Sequence, residues 1–250
     1  MSILHNLASS FSVRAPPNLV SLSLRNLTTV DFSTLESPRF QSVLTNLRHL
    51  RLSMRFDNFS DQYKLFPHSC YFWTTLCPRM LAPTQDSLTE LTLHSDTYVG
   101  VLFGLPFASL YFPHLRGLSL GKFVFEPSLG AEKFILRHAT TLARLELLEC
   151  KLPIDSDTFD PPPTALANDV ESIPMSKSWA VIWGRFAAEL TALLALHISW
   201  GVSGRYVRLV ETMFYREVYV REPLNVADDT AIARFHIPVA ARSKAVCGEF

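Results

Sequence analysis

The chain has 250 residues, and its 23 lysines and arginines balance 23 aspartates and glutamates, so no net charge draws it to nucleic acid or anionic lipid. Hydrophobic residues make up 48% of the sequence, and the length is sufficient to bury a sizeable core. The four cysteines, Cys70, Cys77, Cys150 and Cys247, are too few for a disulfide framework, and we expect free thiols in the reducing cytoplasm or nucleus.

The predicted elements begin with six copies of the pattern L-x-x-L-x-L. The copies start at Leu19, Leu47, Leu88, Leu115, Leu142 and Leu193, with Ile198 as the last residue of the sixth copy. Two successive spacings are 27 residues, within the range of about 20–29 residues that is typical of leucine-rich repeats. Each copy predicts a short parallel strand with leucines in the core. We therefore predict an α/β fold, a leucine-rich-repeat solenoid with a curved parallel sheet on the concave side and helices and irregular segments outside.

The segments between the copies predict the outer layer. Apolar periodicity favours four helices, at 40–47, at 71–81 with a break or kink at Pro78, at 130–142, and at 178–190 with Ser176 or Ser178 as the cap. Two wider spacings predict insertions at 54–86 and 151–175, and the acidic, proline-rich run 151–174 predicts an exposed loop. Cys150 lies where the repeat pattern uses Asn or Cys, and we expect it to bond the backbone of the turn.

The two ends of the chain differ from the repeats. Residues 1–15 form an N-terminal segment before the predicted solenoid of 16–203, and residues 204–250 predict a capping segment. Within that cap we expect a strand at 215–223 and a helix at 228–243, kinked by Pro238. The uncharged run 97–115 is interrupted by prolines and glycines, so we predict no membrane span.

Motifs that would carry catalysis or bind a cofactor are incomplete. The stretch GLSLGKF at 117–123 is similar to a phosphate-binding loop, but Phe123 replaces the Ser or Thr that holds magnesium. The stretch DSDTFD at 155–160 begins like a calcium loop, but Asp160 replaces its glycine and Leu166 its closing acid. We therefore predict a non-enzymatic protein with no cofactor and no metal.

The residues between the leucines predict a polar concave surface. With the first leucine as position 1, positions 3, 5 and 7 point away from the core. The candidate protein-binding residues on this surface are Arg25, His49, Arg51, Glu90, Thr92, His94, Ser119, Arg144, Glu146 and His197. Small residues on the fourth strand, Gly117, Ser119 and Gly121, predict a space for a partner side chain or an extended peptide. Because solenoids bind through extended concave surfaces, we expect a protein partner, with no nucleic acid and no membrane.

The run FPHLRGLSLGKFVFEPSLGAEKFILRHATTLARLELLECKLP at 112–153 resembles a family of fungal proteins that pair an N-terminal F-box with C-terminal leucine-rich repeats. The phrases W…RFAAELTAL at 179–193 and VAARS at 239–243 resemble the same family. The resemblance covers most of residues 16–245. It implies an adaptor whose F-box docks on the linker subunit of a cullin ubiquitin ligase while the repeats select the substrate.

We expect no F-box in these 250 residues. Its helices need about 40–50 residues, below the usual size of a domain, and 18 residues precede the first repeat. The resemblance therefore extends to the substrate-recognition part. Two alternatives are a full cullin-ligase adaptor whose F-box lies outside this chain, and a truncated paralogue without a dedicated partner.

Overall fold

A computed structural model describes residues 19–27, 33–55, 70–100, 103–154, 178–201, 205–211, 216–221 and 226–247. The predicted N-terminal segment 1–15 lies outside the described residues. The predicted loop 151–174 also lies outside them from residue 155 onward.

Six strands form one parallel sheet, and each begins at position 3 of one copy of the leucine pattern. The strands are β1 (Ser21–Leu27), β2 (His49–Met54), β3 (Glu90–Val99), β4 (Gly117–Phe123), β5 (Arg144–Leu148) and β7 (Ala195–Ser199). Their order in the sheet is β1-β2-β3-β4-β5-β7, so successive copies of the pattern are always neighbours. The predicted parallel strands are confirmed, and the fold is a mixed α/β one.

One hydrogen-bond pattern recurs at every junction between neighbouring copies. The carbonyl oxygen at position 2 of one copy accepts bonds from the backbone N–H groups at positions 2 and 3 of the next. For example, Val20 O accepts from Arg48 N at 2.8 Å and from His49 N at 3.0 Å. The corresponding bonds in the later copies are accepted by the carbonyl oxygens of Arg48, Thr89, Arg116 and Ala143. Each copy is therefore attached to its neighbour in the same way, although the connecting segments differ in length.

Helices pack on the leucine side of the sheet. They are α1 (Ser33–Glu36), α2 (Pro38–Leu44), α3 (Cys77–Leu81), α4 (Ala131–Arg137), α5 (Trp179–Glu189) and α6 (Val226–Cys247). The Ser178 hydroxyl accepts a bond from Val181 N, which confirms Ser178 as the cap of α5. Helix α4 is shorter than predicted, because the chain turns at His138 to enter the next strand.

The helical segment around Pro78 continues where the sequence predicted a break or kink. A π-helical turn at Phe72–Leu76 leads directly into α3, and Cys77 N bonds Phe72 O. Pro78 then occupies the first turn of α3, where a backbone N–H is not needed for an intrahelical bond. The proline is accommodated by starting a new helix rather than by ending the segment.

A second sheet and a long helix complete the described part of the chain. Strand β6 (Leu152–Ile154) pairs in parallel with β8 (Tyr206–Glu211), which pairs antiparallel with β9 (Arg216–Arg221). Strand β9 lies inside the predicted strand 215–223, whereas β6 and β8 were not predicted. Helix α6 extends beyond the predicted 228–243 and contains Pro238 without interruption.

Aromatic side chains connect the helices to the sheet. Trp73 contacts Phe123 edge to face, with ring centroids 5.4 Å apart, and Trp179 stacks on Trp183 at 4.9 Å. Trp183 in turn stacks on Phe235 of α6, so the C-terminal helix joins the same core. No helix in the described ranges is long and apolar enough to cross a membrane.

The buried thiols belong to the same core. Cys150 Sγ donates to Leu120 O of β4 at 3.4 Å and to Leu148 O at the end of β5 at 3.8 Å, so the thiol bonds strand carbonyl oxygens rather than the backbone of the predicted turn. Burial raises the pKa of Cys150 to about 12, and it also raises the pKa of Cys77. Both thiols are therefore protonated and unreactive at neutral pH.

Candidate functional site

The predicted surface residues lie together on one side of the six-stranded sheet, which we call the polar face. Strand register aligns position 3 as Ser21, His49, Glu90, Gly117, Arg144 and Ala195, and position 5 as Ser23, Arg51, Thr92, Ser119, Glu146 and His197. Position 7 is aligned from β2 onward as Ser53, His94, Gly121, Leu148 and Ser199. The register in β1 shifts between Leu24 and Leu27, so Arg25 stands beside this last row without a paired residue.

Exposure varies across the polar face. Arg25, His49, Arg144 and His197 are exposed. The residues Arg51, Glu90, Thr92, His94 and Glu146 are half-buried. Ser119 is buried, with 8% of its surface exposed. The centre of the face is thus covered by its own side chains, while both ends are open.

An ion pair spans the fourth strand. Arg144 Nη2 on β5 donates to Glu90 Oε1 on β3 at 2.9 Å. Gly117 of β4 lies between them, and a Cβ atom there would collide with the Glu90 carboxylate. The absence of a side chain at Gly117 is therefore what lets the glutamate reach over β4.

A chain of hydrogen bonds joins three strands at the centre of the face. Ser119 Oγ donates to Glu146 Oε2 at 2.5 Å, and His94 Nε2 lies 2.9 Å from Ser119 Oγ. Because the single hydroxyl proton of Ser119 is used toward Glu146, His94 Nε2 must be the donor to the serine. Burial and the charge of Arg51 lower the pKa of His94, although Glu146 opposes them, so the imidazole is neutral at neutral pH.

The fourth strand offers no free space for a partner. The Glu90 carboxylate lies over Gly117, and a Cβ atom at Gly121 would approach His94 Cδ2 to 2.9 Å. Ser119 is buried between the two groups that it bonds. The predicted space at Gly117, Ser119 and Gly121 is therefore occupied by the protein's own Glu90 and His94.

The serine and histidine do not have the arrangement of a hydrolytic triad. In such a triad the histidine accepts the serine proton and the carboxylate orients the histidine. Here the carboxylate of Glu146 bonds the serine itself, and the inferred tautomer of His94 gives a proton to Ser119. The group holds three strands in place rather than presenting a free nucleophile.

Two polar residues at strand ends were missed by the sequence prediction. Lys122 and Glu149 occupy position 8 in neighbouring copies and have left-handed φ angles of 60° and 53°. Lys122 Nζ lies 3.9 Å from Glu149 Oε2 and donates to Asp96 O at 3.0 Å. The recurrence of polar residues at position 8, with Asn26 in the first copy at φ 54°, is the signal that would have found them.

A separate groove of about 530 Å³ lies among the helices, away from the polar face. It is lined by Ala108, Gly130, Lys133, Leu136, Arg137 and Glu189. Arg137 already donates to the carbonyl oxygens of Phe107 and Ala108, so its guanidinium is engaged by the protein's own backbone. Among the described residues no group of three or more His, Cys, Asp or Glu side chains could hold a metal ion.

No protein-family model, no curated protein and no solved structure matches the chain. The candidate site therefore rests on the register of the sheet and on the contacts of its polar face.

Proposed function

We propose that the chain is a leucine-rich-repeat solenoid that acts as a non-enzymatic recognition module and binds a protein partner through its polar face. The observation that carries the proposal is the register, which places one continuous row of polar side chains, that of position 5, across six adjacent parallel strands. The identical backbone bonds at each junction support a stacked repeat, because each repeat buries its leucines only against its neighbours.

Only one of the two sides of the sheet is open to a partner. The leucines are buried beneath the helices, whereas the opposite side carries arginine, histidine and glutamate without a covering element among the described residues. Arginine provides directional contacts through its planar guanidinium, and the sheet fixes the position of its backbone. In the solenoid that we propose, this side is the concave one.

The proposed role in a cell follows the sequence resemblance. The module would correspond to the substrate-recognition part of an F-box adaptor, in the cytoplasm or nucleus. The linker subunit and a cullin would be further partners if an F-box is supplied outside this chain.

Affinity capture from a fungal lysate tests the proposal. The bait proteins are the wild-type chain, an Arg51→Glu/Arg144→Glu variant of the polar face, and a Lys133→Glu/Arg234→Glu control on helices α4 and α6. Both variants reverse two charges, but the polar-face variant also loses the ion pair between Arg144 and Glu90, so circular dichroism first confirms that each bait is folded. Captured proteins are compared by quantitative mass spectrometry.

We expect at least one specific protein to be lost about tenfold or more from the polar-face variant and retained by the control. Co-recovery of the cullin-ligase linker would support the adaptor role. If all three baits capture the same proteins in equal amounts, the polar face is not the binding surface.

A further inference from the structure

Two arginines on the first two strands of the polar face lack a carboxylate partner among the described residues. The described contact of the exposed Arg25 side chain is a bond from Nε to Ser23 Oγ at 3.3 Å. Arg51 on β2 is half-buried and is absent from the ion pairs of the described chain. A guanidinium that loses hydration without a counter-charge is costly, so this position favours an external anion.

The acids of the polar face do not neutralise this region. Glu90 leans over Gly117 toward Arg144, away from β2. Glu146 accepts the Ser119 hydroxyl on the far side of His94. The positive charge of Arg51 lowers the pKa of His94, as the second cause after burial of the imidazole. The β1–β2 end of the face is therefore positive, and we call Arg25, His49 and Arg51 the basic corner.

The spacing of the basic corner matches an extended chain. His49 and Arg51 are two residues apart on β2, which places their side chains on the same face about 6.7 Å apart. Strand β1 lies beside β2 at a distance of about 4.8 Å, with the small Ser21 and Ser23 opposite His49 and Arg51. An extended peptide with acidic residues at alternate positions has the same side-chain repeat, and the serines leave room for its backbone.

We propose that the basic corner binds an extended acidic segment of the partner protein, with aspartate or glutamate at alternate positions. The carboxylates form charge-assisted hydrogen bonds with His49 and Arg51, whose spacing matches alternate residues of the segment, and Arg25 on β1 contacts a further carboxylate. This inference rests on the proposed function of the polar face and specifies the chemistry of its partner.

Fluorescence anisotropy with a defined probe tests the inference on the full chain. The probe is a fluorescein-labelled peptide of about ten residues in which glutamate alternates with serine, and the control peptide carries glutamine in place of glutamate. We compare the wild-type chain with Arg25→Gln/Arg51→Gln, with the charge-retaining Arg25→Lys/Arg51→Lys, and with a Lys133→Gln/Arg234→Gln control that removes the same charge elsewhere. Circular dichroism confirms that each variant is folded.

We expect the wild-type chain to bind the glutamate peptide and not the glutamine peptide, and to lose affinity as salt is raised. The Arg25→Gln/Arg51→Gln variant should bind about tenfold more weakly and the control should stay within about threefold of the wild-type chain, whereas the lysine variant, which keeps the charge but not the planar fork, should lie between them. Equal affinity of Arg25→Gln/Arg51→Gln and Lys133→Gln/Arg234→Gln for the glutamate peptide would overturn the proposal. Tighter binding of a single-stranded oligonucleotide, with the same dependence on Arg25 and Arg51, would also overturn it.

Failure of this inference is distinguishable from failure of the proposed function. If the wild-type chain does not bind the glutamate peptide but captured proteins still depend on Arg51 and Arg144, the acidic class is wrong and the binding face stands. If capture is independent of the polar face, the proposed function itself is wrong.

Discussion

Glycine residues determine how the polar face is built. Gly117 lets Glu90 reach Arg144 across β4, and Gly121 leaves room for the ring of His94. The sequence alone suggested that these small residues make space for a partner. That interpretation was wrong because the long side chains of the neighbouring strand fill the same space, and their rotamers do not follow from the leucine pattern.

Glu149 provides a test of backbone strain at the end of a repeat strand. Its φ angle of 53° is unfavourable for a residue with a Cβ atom by about 1–2 kcal/mol, and glycine relieves most of this at some cost in unfolded-state entropy. We expect Glu149→Gly to be about 0.5–1 kcal/mol more stable than Glu149→Ala.

Urea unfolding of the two Glu149 variants measures this difference. Both variants lose the ion pair with Lys122, at 3.9 Å in the wild-type chain, so the comparison isolates the Cβ atom. A glycine variant that is no more stable than the alanine variant would show that the strand end relaxes to another conformation.

A buried carboxylate joins the C-terminal helix α6 to α5 and β8, in addition to the aromatic stacking on Trp183. Asp228 in the first turn of α6 is fully buried and accepts bonds from Ala180 N at 2.7 Å and from the Tyr206 hydroxyl. Ala180 N lies in the first turn of α5, so the negative charge is near the N-termini of two helices, where it is favourable. Burial, followed by the bond to Asp228, raises the pKa of Tyr206, which keeps the phenol a donor.

Removal of this carboxylate should loosen α6 from α5 and β8. We expect Asp228→Ala to lower the free energy of unfolding by about 2–4 kcal/mol, since it leaves a buried N–H and a buried hydroxyl without an acceptor. The neighbouring Asp229 is 65% exposed and pairs with Arg205 on the surface, so Asp229→Ala should cost about 1 kcal/mol or less.

Denaturant unfolding monitored by tryptophan fluorescence measures both aspartate variants. The stacked Trp179 and Trp183 lie in α5, beside the docked α6, and report the packing of the two helices. Equal effects of the two substitutions would contradict the role given to Asp228.

At the scale of the whole molecule, the leucine pattern predicted the sheet well. It identified all six strands of the parallel sheet and their order, because each copy must bury its leucines against the next. It did not predict β6 and β8. Leu152–Ile154 is only three residues long, and its pairing partner lies more than fifty residues along the chain, so no local periodicity marks it.

The sequence predicted which residues lie on the polar face, but it did not predict the contacts between their side chains. The alternation of a strand assigns residues such as Arg51, Glu90 and Glu146 to one face, and the register agrees with this assignment. The bond from Ser119 to Glu146 and the bridge from Glu90 to Arg144 depend on side-chain rotamers across one or two strands. Such contacts require the three-dimensional positions of all the neighbours.

Stability of the molecule should fall on mild acidification because two histidines are folded in the neutral form. His138 is buried, its Nδ1 donates to Phe134 O at 2.7 Å and its Nε2 accepts from Phe112 N at 3.0 Å. Burial lowers the pKa of His138, and burial together with Arg51 lowers the pKa of His94. Protonation of His138 Nε2 would also break its hydrogen bond with Phe112 N, because both nitrogens would then be donors.

The direction of the pH effect follows from proton linkage. Unfolded histidine titrates near pH 6.5, and both folded pKa values lie below this, so between the two values the unfolded chain binds more protons. The free energy of unfolding should therefore be fully retained above about pH 6.5 and decrease as the pH falls toward the folded pKa values.

Urea unfolding between about pH 7.5 and 5 measures this slope in the wild-type chain and in His138→Gln. The variant should be less stable at neutral pH, because it loses two buried hydrogen bonds, but its stability should depend less on pH. An equal or steeper slope in the variant would show that His138 does not titrate on unfolding as its buried bonds require.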